Sequence, residues 1–153
     1  RRHTRCSRDW SSDVCSSDLK QENYVVETNE KSKGFRLPTE WEWEYAAKAG
    51  TDFKYSGSNT VDEVGWYGGN SGKTTQPIKQ KNPNAWGFYD MSGNVWEWCE
   101  NTYDPNAESV SAARVNRGGS WSNLASNLRS ALRINYSPSF RNSYLGFRVC
   151  RYI

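Results

Sequence analysis

Reactive side chains are scarce in this chain. His occurs once, at position 3, and Cys four times, at positions 6, 15, 99 and 150. From residue 20 onward there is no His. That removes a two-His-one-carboxylate iron site, a Ser-His-Asp triad and a Cys-His pair together. Carboxylate-only hydrolysis needs no His, but nothing else in the sequence supports it. Cys99 and Cys150 form one disulfide in an exported protein or remain two buried thiols, and their spacing does not decide which. Amide, hydroxyl and phenol groups are abundant instead. The stretch 122–144 holds Ser122-Asn123, Ser126-Asn127, Asn135-Tyr136-Ser137 and Arg141-Asn142-Ser143-Tyr144. These are residue types of adaptable binding surfaces. Ordinary surface loops are the plain alternative.

Such residues need a scaffold, and its composition is unusual. The hydrophobic fraction is 35%, yet 14% of the residues are aromatic. A chain of 153 residues is long enough for one domain, and here its core must be built on rings. Residues 84–98 concentrate this tendency, with Trp86, Phe88, Tyr89, Trp96 and Trp98 beside Asp90 and Glu97. They read as a buried, irregular centre, with Trp86, Trp96 and Trp98 as core. Charge is divided along the chain. Residues 114–153 carry seven Arg and no Asp, Glu or Lys, while residues 20–113 carry nine Lys/Arg and fourteen Asp/Glu. Internal pairing is expected, because a planar guanidinium suits half-buried bidentate contacts to carboxylates. The net charge of +3 is too small to imply a nucleic-acid partner. No apolar run approaches the roughly 18 residues of a membrane span.

Residues 1–19 differ from the rest. They have no apolar periodicity and repeat Ser-Ser-Asp. They read as a non-native or disordered leader, and the domain proper as residues 20–153. Tyr24-Val25-Val26 is a short strand-like patch. Thr39 with Glu42 three residues on forms a capping box opening a helix that Gly50 ends. Trp41, Tyr45 and Ala49 at i, i+4 spacing mark its expected buried face. Residues 51–83 read as loops with a short strand near Val64-Gly65-Trp66-Tyr67 and a turn at 68–72. Gly72-Lys73-Thr74 imitates the tail of a phosphate loop but lacks the rest of it. Residues 99–113 read as loop, and Arg114–Trp121 as a strand meeting a Gly-Gly bend. Residues 125–131 read as a short turn or helix and 134–144 as a loop. Residues 145–151 read as a strand with Phe147 and Val149 on one face. The class is α+β with short strands, few helices and long loops.

Four motifs occur in order. Gly34-Phe35-Arg36-Leu37-Pro38-Thr39-Glu40 precedes Trp43-Glu44-Tyr45-Ala46, followed by the aromatic stretch 84–98, then Arg117-Gly118-Gly119-Ser120-Trp121, then Gly146-Phe147-Arg148. Together they resemble the sulfatase-modifying factor, or formylglycine-generating enzyme, family, whose domain is a variant of the C-type lectin fold. Family domains carry more sequence before the first of these motifs, so the resemblance implies an N-terminally truncated domain. Active members oxidise a sulfatase cysteine using O₂ and copper held by two cysteines, and thiolates select Cu(I). Aligned on Arg117–Trp121, those positions are Asn123 and Leu128, so no copper is expected. Without His, no iron is expected either. Ser120, Glu97 and Trp98 match residues lining that pocket.

The resemblance also implies a calcium ion held by the carbonyls of Ser92, Gly93 and Val95 and the carboxylate of Glu97, oxygen ligands that suit a hard cation. Pairing of Glu97 with a C-terminal arginine is the competing expectation. The layout further resembles the variable proteins of diversity-generating retroelements. That resemblance makes Ser122, Asn123, Ser126, Asn127, Asn135, Tyr136, Asn142 and Tyr144 a ligand-facing surface for a protein or glycan. A formylglycine-type oxidase is the alternative function. An accessory domain of a periplasmic, secreted or surface-attached protein is a third.

Overall fold

The computed structural model describes residues 34–107, 109 and 111–151. The leader at 1–19, the patch Tyr24-Val25-Val26, Cys6, Cys15 and His3 lie outside these residues. The first regular element is helix α1, Glu40–Lys48. Its start is chemical: the Thr39 hydroxyl accepts from the Glu42 amide while the Glu42 carboxylate accepts from the Thr39 amide. These bonds satisfy donors that a helix start leaves open. Arg36 then forks onto Glu42 at 2.6 and 2.7 Å. The helix closes at Ala49, in the left-handed region at φ 47°, with Gly50 left-handed after it. Helix α2 is one short turn, Val61–Val64.

Two sheets follow. Strand β1 (Gly65–Trp66) pairs in parallel with β2 (Ser92–Gly93). The larger sheet joins β3 (Trp96–Thr102), β4 (Arg114–Arg117), β5 (Arg133–Tyr136) and β6 (Leu145–Gly146) in the order β5-β4-β3-β6. Strand β4 pairs antiparallel with both β3 and β5, and β6 pairs in parallel with β3. An isolated bridge between Arg36 and Cys150 brings the two ends of the described chain together.

Helix α1 packs on one face of the larger sheet, where Trp43, Ala47, Met91, Cys99 and Val115 form a core cluster. The face α1 buries is therefore Trp43 and Ala47, not the expected Trp41 and Tyr45, which are 73% and 68% exposed. Both sets share i, i+4 spacing, so periodicity alone does not separate them. Electrostatics does. Glu40 and Glu44 flank Trp43 on the same helical stripe. Glu40 takes Arg133 in a double contact at 2.9 Å, and Glu44 takes Arg117 and Lys48. Trp43 Nε1 donates to Glu97 at 2.6 Å.

Other expectations shift as well. Trp96 is buried and Trp98 half-buried, but Trp86 is 45% exposed and packs edge-on against Tyr45. The stretch read as loop at 99–113 begins inside β3, and that at 134–144 inside β5. The final strand is shorter than expected: it is regular only at Leu145–Gly146, with a separate bridge at Cys150, and Phe147 and Val149 are exposed. The expected Gly-Gly bend is present, with Gly118 and Gly119 at φ 93° and 78°. A Cβ on Gly119 would meet Leu128 Cδ1 at 2.8 Å.

The carboxylates of this interface set its response to acid. The Arg36 hydrogen bonds hold Glu42 down to about 2, against an ordinary 4.5. Burial pushes Glu44 up, but Lys48 and Arg117 outweigh it and the net direction is down. A depressed folded-state value contributes stability that is present above the unfolded value and lost as pH falls through the folded one. Melting temperature should therefore decline as pH drops from 4.5 toward 2. In Glu44→Gln that decline should be shallower, measured by circular dichroism melts across this range.

Candidate functional site

The segment after β4 builds two separate groups from the eight expected ligand-facing residues. The first lies in the turn after Gly119. Asn123 folds back so that its Oδ1 accepts from the Ser120 amide at 3.0 Å and the Ser120 hydroxyl at 2.7 Å. Its carbonyl accepts from the Gly68 amide at 2.8 Å. Asn123 thus closes a turn. Ser122 and Ser126 are exposed and Asn127 is half-buried beside them. A 3₁₀ turn, Ala125–Leu128, carries Ser126 and Asn127 and ends on Leu128, which is fully buried against Tyr55 and Val64.

The second group lies on the sheet face away from α1. Tyr136 stacks on Phe140 with ring centroids 4.5 Å apart and planes 17° from parallel. Trp98 meets Tyr136 edge-on at 6.5 Å, and Tyr144 lies 6.4 Å from both Tyr136 and Phe140. Burial pushes the Tyr136 phenol up to about 12, aided by its hydrogen bond with Tyr144, so it is neutral at physiological pH. The loop carrying these rings is tied down at several points. Arg141 Nη1 donates to the carbonyls of Pro138 and Phe140 at 2.7 and 2.9 Å. The Phe140 amide bonds the Ser137 carbonyl, and the Tyr144 carbonyl accepts from Trp96. Asn142 is exposed, and its Oδ1 meets the Ser143 hydroxyl at 3.3 Å and the Tyr144 amide at 3.4 Å.

Tyr136 and Tyr144 are therefore brought together with Asn142 nearby, while Ser122, Asn123, Ser126 and Asn127 belong to the other group. Asn135 is exposed but points to the opposite face from Tyr136, because side chains alternate along a strand. Trp98 and Phe140 join the cluster although sequence reasoning had placed the first in the core and left the second in a loop. Strand alternation through β3 and β5 was the signal for Trp98. Phe140 carried none, since a turn of side-chain-to-backbone bonds positions it.

Of the two partners expected for Glu97, the arginine is the one in place. Arg148 forks onto it at 2.5 and 2.6 Å, beside the Trp43 bond. Burial works against charge on Arg148, but these bonds outweigh it and its affinity for the proton rises. A calcium ion at Glu97 would face that guanidinium, so the carboxylate as arranged does not suit a divalent cation. The Ser92 hydroxyl, as distinct from the carbonyl expected to face calcium, accepts from the Ser56 amide at 3.0 Å and donates to the Leu128 carbonyl at 3.1 Å. Gly93 pairs with Trp66, and a Cβ there would run into the Trp66 carbonyl. Val95 is half-buried, with its side chain toward Gly146. No group of three or more His, Cys, Asp or Glu with metal-binding geometry occurs among the described residues.

Both described cysteines are free thiols, Cys99 buried and Cys150 half-buried. Burial pushes the Cys99 thiol up to about 12 and raises Cys150 as well. Neither has the lowered pKa of a nucleophile. No helix among the described residues is long and apolar enough to cross a membrane.

A four-stranded mixed sheet, one capped helix and long side-chain-tethered loops define the class, and comparison with known proteins gives the family. Residues 9–153 match the sulfatase-modifying factor enzyme 1-like domain. The chain is 38% identical to the chaperone protein LppX of Paenibacillus barcinonensis, over 84% of this chain and 53% of that protein. It is 35% identical to the formylglycine-generating enzyme of Streptomyces coelicolor, over 75% of this chain and 46% of the enzyme. Among solved structures it is similar to Treponema denticola variable protein 1, at 45% identity and a TM-score of 0.76, covering 82% of this chain and 51% of that one. The chain belongs to the sulfatase-modifying factor family and has its formylglycine-generating-enzyme-type fold. It spans about half the length of these relatives.

Replacing Glu97 by Ala strands a half-buried guanidinium and the Trp43 indole N–H. The expected cost is about 3–5 kcal/mol of unfolding free energy, read from denaturant melts. A chelator should leave the wild-type melting temperature unchanged, and a chelator-induced drop would restore calcium to the Glu97 site.

Proposed function

We propose that this domain is a non-catalytic binding module of its family, of the variable-protein type made by diversity-generating retroelements, with a protein or glycan ligand. The observation that carries the reading is the neutral cluster of Trp98, Tyr136, Phe140 and Tyr144 on the sheet face away from the helix. Tyr and Trp rings present large contact areas with few rotatable bonds, so little conformational entropy is lost when they bind. Trp98 and Tyr136 are held on strands, which pre-organises them, and Arg141 ties the backbone of the loop that carries Phe140 and Tyr144.

Family membership does not by itself choose between binding and catalysis, since the relatives include a variable protein, a chaperone and an enzyme. Two positions speak against the oxidase alternative. By the resemblance at Arg117–Trp121, Asn123 and Leu128 stand where active members hold their copper-binding cysteines, and neither supplies a thiolate. Both also have structural duties: Asn123 caps Ser120, and Leu128 fills the second core cluster.

Panning a phage-displayed random peptide library against the immobilised domain tests the reading. Sequences should enrich on the wild type and on Ser126→Ala but not on the double variant Tyr136→Ala/Tyr144→Ala. Equal enrichment on all three would place binding elsewhere. A Cys-x-Pro-x-Arg peptide incubated with the domain, Cu(I) and O₂ should stay unmodified. Conversion of its cysteine to an aldehyde would overturn the binding-only assignment.

A further inference from the structure

The floor of the aromatic face contains a residue that the fold does not explain. Asn116 lies in β4, and its cross-strand partners are Trp98 on β3 and Ile134 on β5. Paired residues share a sheet face, so Asn116 sits between Trp98 and Ile134 on the side that carries Tyr136. It is 0% exposed. Neither its Nδ2 nor its Oδ1 has a hydrogen-bond partner among the described residues. A carboxamide has two donors and one two-lone-pair acceptor to satisfy, and burying it unpaired costs on the order of 1–3 kcal/mol. The neighbouring strand positions show that this sheet tolerates apolar residues in its interior: Val115 is also fully buried. An apolar residue would satisfy packing at 116 without that cost.

We propose that Asn116 is a recognition residue, and that the aromatic face takes a neutral amide group from a partner protein, as an Asn or Gln side chain or an exposed peptide unit. The inference rests on the binding-module reading and deepens it. The chemistry of the face selects the ligand. A carboxamide presents a donor and an acceptor side by side in one plane, and its complement is a second planar donor–acceptor pair, which an amide supplies. The exposed cation beside the rings, Arg141, already donates to the Pro138 and Phe140 carbonyls, so an ionic ligand would find no uncommitted charge there to offset its desolvation. Tyr136 is held neutral. Arg114, the nearest cation on the same face of β4, donates instead to the Glu100 carbonyl at 2.6 Å. The rings above the row form the walls: Trp98 and Tyr136 meet edge-on, and Phe140 and Tyr144 complete the enclosure. Reaching Asn116 requires these rings to part. The Phe140 and Tyr144 side chains are on a loop, where such movement disturbs no strand pairing.

Benzamide, a ring bearing one carboxamide, is the probe, with methyl glucoside as the sugar comparison. In ¹H–¹⁵N spectra of the full chain, benzamide should shift the Asn116 side-chain amide pair together with the Trp98 indole N–H. Methyl glucoside should leave both in place. Asn116→Ala should weaken benzamide binding at least tenfold, and Asn116→Leu should abolish it. Shifts at Trp98 without any at Asn116, or unchanged affinity in the variants, would overturn the role of Asn116 while leaving the aromatic face as a binding surface. Shifts at Asn116 with the glucoside but not with benzamide would overturn the amide assignment. No shift anywhere on the cluster with either probe would overturn both this inference and the choice of this face as the binding site.

Discussion

Three arginine–carboxylate pairs, two of them forks, join helix α1 and the chain's C-terminal portion to the sheet, and the layout of the domain follows from them. Arg117 is almost fully buried and meets Glu44. Arg133 meets Glu40 with both nitrogens. Arg148 takes both oxygens of Glu97, which also accepts from the Trp43 indole. Each charge is costly to bury alone and tolerable when paired and hydrogen-bonded. The pairs therefore act as a register constraint. Sliding α1 by one residue would carry Glu40 and Glu44 off the stripe that faces the sheet and leave Arg117 unpaired inside. Hydrophobic contact at Trp43 and Ala47 supplies adhesion, and the pairs determine where it is applied. Their worth lies more in uniqueness than in net stability, since buried ion pairs contribute little over well-packed apolar groups.

With one nine-residue helix and mostly short strands, backbone ladders alone do not hold the remaining chain. Side-chain amides and hydroxyls do so. Asn84 is buried; its Nδ2 donates to the Ala46 carbonyl at 2.7 Å and the Ser56 hydroxyl at 3.0 Å, and its Oδ1 accepts from the Trp86 and Phe88 amides. Asn94 spans the gap to the 71–76 loop in the same way, accepting from the Gln76 amide and donating to its carbonyl. Local side-chain-to-backbone bonds compete with helix and sheet. Here they replace both, which explains how long loops in a compact domain keep a defined path.

This mode of construction also sets what the sequence reveals. The capping box at Thr39 and Glu42, the Gly-Gly bend and the internal pairing of the C-terminal arginines are local or compositional signals, and each appears where expected. The buried face of α1 was misread because its stripe mixes Trp and Ala with two glutamates, and a hydrophobicity pattern counts those against burial. Strand β5 was hidden because Arg133, Ile134, Asn135 and Tyr136 lack a clean alternation: Arg133 is held inward by Glu40, and Tyr136 faces other rings. Of the candidate binding residues, Tyr136 and Tyr144 were legible by type. Trp98 required the β3 register, Phe140 a turn stabilised by Arg141, and Asn116 a knowledge of which neighbours it lacks. That last kind of information exists only in three dimensions, because an asparagine in a strand looks the same whether or not its amide is paired.

The positions Asn123 and Leu128 show how one scaffold accommodates different tasks. Both lie just beyond the Gly118-Gly119 bend, on a turn shaped by the left-handed glycines and by the Ser120–Asn123 hydrogen bonds. With Asn at 123, the turn closes on itself through Ser120; with Leu at 128, the space beneath it joins the core formed with Tyr55 and Val64. Neither residue would need to move for the sheet to present Trp98, Tyr136, Phe140 and Tyr144 on its far face. On the proposed reading, chemistry at the bend and recognition on the sheet use different parts of the fold. Function resides in the site grafted onto the frame, and among the buried polar groups without a hydrogen-bond partner in the described residues, the Asn116 amide is the one on the face that carries the rings, where the proposed ligand would meet it.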